Sequence, residues 1–150
     1  MVALPKATVA LLPALLLVLP LAFGCGGGSE GSGAAELMRP TDGVLAVRAF
    51  EWGFEPSAIE LKQGEPVRIE FENGGRSIHN LKIDGLEAAD VHSQSTGAIK
   101  GEEGQLFVGA AKGDAGTLEF TPQATGTFTY YCGIPRHRSL GMEGTLTIVP

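Results

Sequence analysis

Thr127-Phe128-Thr129-Tyr130-Tyr131-Cys132-Gly133-Ile134-Pro135-Arg136-His137-Arg138-Ser139-Leu140-Gly141-Met142-Glu143-Gly144-Thr145-Leu146-Thr147-Ile148-Val149 is the stretch whose reading decides the fold. Thr127–Tyr131 and Gly144–Val149 are rich in β-branched and aromatic residues and read as neighbouring strands. Successive strand residues point to opposite faces, so Tyr130 and Tyr131 divide between core and surface. The residues between the two strands form one loop at a strand end. That loop carries Cys132, His137 and Met142 in the spacing C-x4-H-x4-M. Loops on a rigid sheet frame are a usual place for function.

A thiolate, an imidazole and a thioether from one short loop, joined by the upstream imidazole of His79, form a recognisable donor set. Two His and one Cys with a weak axial Met are the ligands of a blue-copper site. The soft sulfurs suit Cu(I) and the imidazoles suit both redox states, so one copper ion can stay bound while it gains and loses an electron. Each residue also has a plainer reading. Cys132 can be a small buried apolar residue, His137 an exposed loop histidine and Met142 a core methionine. His92, beside Ser93, Gln94 and Ser95, is the other histidine available and reads as a surface residue. Trp52 reads as core packing, with a place beside the metal as the lesser alternative.

Outward from this loop the chain reads as short strands separated by Gly, Pro, Asn and Asp. Val44–Phe50, Ala58–Lys62, Pro66–Glu72, Ser77–Ile83, Gln105–Val108 and Thr117–Phe120 precede the two strands already named. Alternation is strict in Val67-Arg68-Ile69-Glu70-Phe71-Glu72, so one face is buried and one is wet. Gln63-Gly64-Glu65 and Asn73-Gly74-Gly75 are turn signals. The weakly patterned stretch 84–116 is expected to hold one strand, with a short helical piece possible in 84–98. Seven or eight strands predict an all-β, antiparallel β-sandwich with Greek-key connections over residues 44–150.

The N-terminus reads as an address. Residues 1–24 carry Lys6 and then an apolar run from Val9 to Phe23. That run is short for a permanent span, which takes about 20 apolar residues, and fits a signal peptide. Leu21-Ala22-Phe23-Gly24-Cys25 is similar to a bacterial lipobox, which points to Cys25 as the lipidation site, with plain secretion or an uncleaved anchor as the alternatives. A Cys25–Cys132 disulfide is the competing reading, and lipidation excludes it. Residues 25–43 read as a flexible, Gly- and Ser-rich tether. The expected location is outside the cytoplasmic membrane, lipid-anchored and facing the periplasm or the cell exterior. Seventeen acids against eleven bases leave no basic stripe for phosphates, so nucleic acid is not an expected partner.

Residues 44–150 resemble the cupredoxins, the small blue-copper proteins. The likeness rests on Phe54-x-Pro56 with Ile59 and Gly64, then Asn73, then His79-Asn80. It ends on Tyr130-Tyr131-Cys132, His137 and Met142-Glu143-Gly144-Thr145-Leu146. The ligand-loop spacing is similar to that of auracyanins and rusticyanin. The resemblance implies one copper held by His79, Cys132, His137 and Met142, with Asn80 hydrogen-bonding near the thiolate. It implies electron transfer between a redox-protein donor and acceptor through His137, and no enzymatic conversion. Ile134, Pro135 and Leu140 are the candidate apolar docking surface. Arg136 and Arg138 add positive charge there, which suits either an acidic partner or plain solvation. A monomer is expected. Copper delivery or storage is the alternative function. Multicopper enzymes need further histidines, and this chain has three with no H-x-H pair.

Overall fold

Alternating burial is what the alternating sequence produces. Along Val44–Phe50 the side chains of Leu45, Val47 and Ala49 are buried while their neighbours are exposed. Val67, Ile69 and Phe71 repeat the pattern one strand away. The computed structural model describes residues 36–150. The signal peptide over 1–24, the lipidation site Cys25 and tether residues 25–35 lie outside the described residues.

The strands are β1 (Leu37–Met38), β2 (Val44–Phe50), β3 (Gly53–Glu55), β4 (Ala58–Lys62), β5 (Val67–Asn73), β6 (His79–Ile83), β7 (Ala88–Gln94), β8 (Phe107–Ala110), β9 (Ala115–Pro122), β10 (Gly126–Tyr131) and β11 (Glu143–Val149). They form two sheets, ordered β1-β4-β11-β10-β6-β8 and β3-β2-β5-β9-β7. The expected Greek-key β-sandwich is therefore the fold, with eleven strands rather than seven or eight. Pairing is mixed. β2 with β5, β4 with β11 and β1 with β4 run parallel, and the other pairs run antiparallel. The parallel pair β2–β5 arises because β4, between them in sequence, crosses to the other sheet.

Between the sheets lies one apolar layer. Ile59, Ile69, Phe71, Leu81, Leu118, Phe120, Tyr130 and Leu146 are all below 2% exposed. Burying a side chain of this size is worth about 1.5–3 kcal/mol. This interleaved layer, rather than the loops, makes the frame stiff.

Three expectations are corrected. The tether ends earlier than residue 43, because Leu37 and Met38 pair with Ala58 and Ile59 at the sheet edge and Thr41 bridges Val44. The helical piece in 84–98 is the strand β7. The stretch 84–116 thus holds β7 and β8 and the start of β9, not one strand. β7 is an edge strand with no buried residue, and its register against β9 shifts between Ala89 and His92. A strand with so little buried face and an interrupted register has no apolar alternation to read.

Candidate metal centre

The β10–β11 hairpin builds the loop as its sequence suggests. β10 ends at Tyr131 and hands over Cys132. The loop then folds back on itself by backbone hydrogen bonds. The Cys132 N–H donates to the Met142 carbonyl at 3.1 Å, and the Met142 N–H donates to the His137 carbonyl at 3.2 Å. A 3-10 turn, Arg138–Leu140, closes the loop between them. The backbones of Cys132, His137 and Met142 are therefore tied directly to one another. His79 opens β6, which pairs with β10 and lies next to it in the sheet. Its backbone is held by β8, opposite Ala110.

The structure brings His79, Cys132 and His137 together. Their donor atoms lie within 4.8 Å of one another. Cys132 Sγ is 3.4 Å from His137 Nδ1 and 3.9 Å from His79 Nδ1. Bonds of about 2.0 Å to nitrogen and 2.3 Å to sulfur, as first-row ions of this type make, leave N and S about 3.7 Å apart at a 120° angle. The two sulfur–nitrogen separations thus bracket what one ion shared by Cys132 and each imidazole requires. His79 and Met142 are fully buried, Cys132 is 1% exposed and His137 8%. His92 stays apart from this group. It is exposed on β7, opposite Glu119.

Electrostatics at the site favour neutral imidazole and a thiol awaiting a cation. Burial lowers the His137 pKa, with His79 acting in the same direction and Glu51 against it. Burial raises the Cys132 pKa, opposed by the backbone N–H groups of Asn80 and Ile134. Among the described residues Cys132 has no disulfide partner, and it is buried. A coordinated cation deprotonates such a thiol outright, and those two N–H groups are already placed to stabilise the thiolate.

Asn80 ties the two halves of the site. Its Oδ1 accepts the Gly133 N–H at 2.6 Å, joining β6 to the residue after Cys132. Asn80→Ala leaves that N–H without its partner. The expected loss is about 1–3 kcal/mol of unfolding free energy, measured by urea denaturation of the metal-free protein.

Two neighbours of the site correct the sequence reading, which gave Trp52 a place beside the metal only as the lesser alternative and did not single out Glu51. Trp52 is not core. It is 41% exposed, and its ring stands edge-on to His137 at 4.7 Å and to His79 at 6.5 Å between centroids. Glu51, on the same β2–β3 turn, accepts a hydrogen bond on Oε1 from His79 Nε2 at 3.2 Å. The same oxygen accepts from the N–H groups of Arg76 at 2.6 Å and Ser77 at 3.1 Å, and from Ser77 Oγ at 3.2 Å. The Arg76 N–H is the main reason that the Glu51 carboxyl is held down at about 2. No spacing rule links Glu51 to His79. The contact depends on a turn of one sheet meeting the first residue of a strand in the other.

Of the candidate docking residues, Ile134 is half-buried, while Pro135, Arg136, Arg138 and Leu140 are exposed. Arg138 is already engaged. Its Nε donates to Glu143 at 2.9 Å, and its guanidinium lies 4.2 Å from the Tyr131 ring centroid. Tyr131 is half-exposed and Tyr130 buried, dividing between surface and core as the strand period predicts.

Residues 43–149 match the family of copper binding proteins of the plastocyanin/azurin type. The copper-resistant cuproprotein CopI of Pseudomonas aeruginosa is 27% identical over 176 aligned residues, covering 93% of this chain and 97% of CopI. Auracyanin-B of Chloroflexus aurantiacus is 45% identical over 113 residues, 65% of this chain and 47% of auracyanin-B. A multicopper oxidase crystal structure superposes with a TM-score of 0.58 at 20% identity, over 73% of this chain and 45% of the oxidase chain. At that identity the likeness is one of fold. With the matched stretch spanning both sheets and the whole donor loop, the chain belongs to the plastocyanin/azurin family of copper-binding proteins.

Proposed function

We propose that this chain is a mononuclear type 1 copper protein that shuttles single electrons between redox partners. The observation that carries the reading is the packing of His79 Nδ1, Cys132 Sγ and His137 Nδ1 within 4.8 Å on a stiff frame. His79, Cys132 and His137 would hold the ion, with Met142 as a weaker sulfur donor. Bound copper supplies a one-electron couple at this position. The residues supply the rest. The thiol and imidazoles are fixed before metal arrives, so little rearrangement accompanies a change of charge. Burial excludes water from Cys132 and His79. His137, the least buried donor, is the route for the electron to the surface. Ile134, Pro135 and Leu140 offer the partner an apolar contact, with Arg136 and Arg138 favouring an acidic one. The chain works exported and tethered through a lipid on Cys25, as a monomer.

Enzymatic oxidation is disfavoured. The oxidase likeness covers 45% of that longer chain, and the one histidine left outside the site is His92, exposed on an edge strand. A second reading, copper delivery or storage, is favoured by one observation: the alignment with CopI spans nearly all of both chains.

Redox cycling in the presence of a strong Cu(I) chelator separates the two. The electron-carrier reading predicts that one copper per chain survives repeated reduction and reoxidation. Loss of copper to the chelator at the first reduction would favour delivery.

A further inference from the structure

Glu51 does more than close a turn. Its Oε1 gathers four donors, and one of them is the far ring nitrogen of a proposed metal ligand. An imidazole that donates Nε2–H to a carboxylate is fixed as the tautomer whose Nδ1 is a bare lone pair. In His79 that Nδ1 faces Cys132 Sγ at 3.9 Å. The His79 ring is fully buried, and the Glu51 side chain is 26% exposed. The bond therefore sits at the rim of the site, shielded on its inner side.

The space around the contact is filled. A Cβ added at Gly75 would lie 2.6 Å from His79 Nε2 and 2.9 Å from Glu51 Oε1. No side chain fits there, so backbone lies directly over the hydrogen bond. The oxygen is also fastened independently of His79, by the Arg76 and Ser77 N–H groups. The carboxylate is thus a rigid acceptor to which the imidazole conforms. Metal-bound histidines commonly rely on such an outer partner, whose loss costs about 10–100-fold in metal affinity or activity.

We propose that Glu51 is a positioning residue of the copper centre, fixing the His79 tautomer and strengthening His79 as a donor to the more positive oxidation state. The proposal rests on His79 being a copper ligand. A carboxylate behind the imidazole favours Cu(II) over Cu(I), both by donor strength and by charge. Glu51 therefore holds the reduction potential lower than the ligand set alone would.

The test is Glu51→Gln in the full chain, with Ser77→Ala beside it. Gln keeps an oxygen for the Arg76 and Ser77 N–H groups and removes the negative charge. Ser77→Ala removes one bond to the same oxygen and keeps the charge. Competition titrations give Cu(II) and Cu(I) affinities separately, and a potentiometric titration gives the midpoint potential. Glu51→Gln is expected to weaken Cu(II) binding about 10-fold or more, with Cu(I) binding nearly unchanged. A tenfold selective loss raises the midpoint by about 59 mV for one electron. Ser77→Ala is expected to leave the potential in place. A wild-type midpoint in Glu51→Gln, or equal weakening of both oxidation states, would overturn the proposal while leaving the copper site standing. A wild-type protein with no thiolate–copper absorption band would overturn the site and the proposal together. Thermal unfolding of the metal-free variants checks the frame. If Glu51→Gln lowers stability and leaves the affinity ratio unchanged, Glu51 is structural only.

Discussion

Cys132→Ser lowers Cu(II) affinity by on the order of a thousandfold and leaves the fold intact. Four-ligand structural zinc sites bind with about 10–16 kcal/mol, or roughly 2.5–4 kcal/mol per ligand. Each 1.4 kcal/mol is about a factor of ten, so losing the strongest donor removes two to three orders of magnitude. Ser is close in size to Cys but offers a hard, weakly acidic hydroxyl in place of a soft thiolate. The metal-free protein tolerates the change. The N–H groups of Asn80 and Ile134 that point at Sγ are equally good partners for a hydroxyl oxygen. Competition against a Cu(II) chelator measures the first effect, and thermal unfolding of the apo-protein the second. An unchanged affinity would remove Cys132 from the site.

Gly144→Ala destabilises the protein by about 3–5 kcal/mol, the cost of deleting a buried aromatic side chain. Gly144 is the cross-strand partner of Tyr130. A Cβ on Gly144 would overlap the Tyr130 ring and hydroxyl. Tyr130 has no room to yield. It is 1% exposed, its hydroxyl donates to the Pro56 carbonyl at 2.5 Å, and its ring packs on Phe54 at 5.3 Å between centroids. The added methyl must expel the ring or part β10 from β11. For a domain of this size the melting temperature falls by on the order of 10–20 °C. Contacting residues couple non-additively. The double variant Gly144→Ala/Tyr130→Ala is therefore no less stable than Tyr130→Ala alone. Additive losses would show that the clash is not what Gly144 avoids.

These effects mark what was legible in the chain and why. β2 and β4 stand where alternation and flanking turns put them, residue for residue. The meeting of Cys132 with His137 was legible because one loop carries both. His79 was legible by chemistry, since a trigonal set needs a second imidazole and His92 lay in an unpatterned stretch. Glu51 was not, and Trp52 was placed beside the metal only as the lesser alternative. Glu51 meets His79 across 28 positions, through a turn of one sheet folding over the pole of the other, and no periodicity records such a contact. Trp52 looked like core because large aromatics usually are. It is exposed because the β2–β3 turn lifts it over His137 instead of into the sandwich. β1 and β3, of two and three residues, are too short to show a period, and β7 has no buried face to impose one.

The visible absorption spectrum during stepwise Cu(II) addition, followed by reductant and then oxidant, tests the central claim most directly. The account predicts an intense thiolate-to-copper band that saturates at one copper per chain. One electron bleaches it, reoxidation restores it, and Cys132→Ser never shows it. Copper that binds to the folded protein without that band, or a band that does not return on reoxidation, would contradict it.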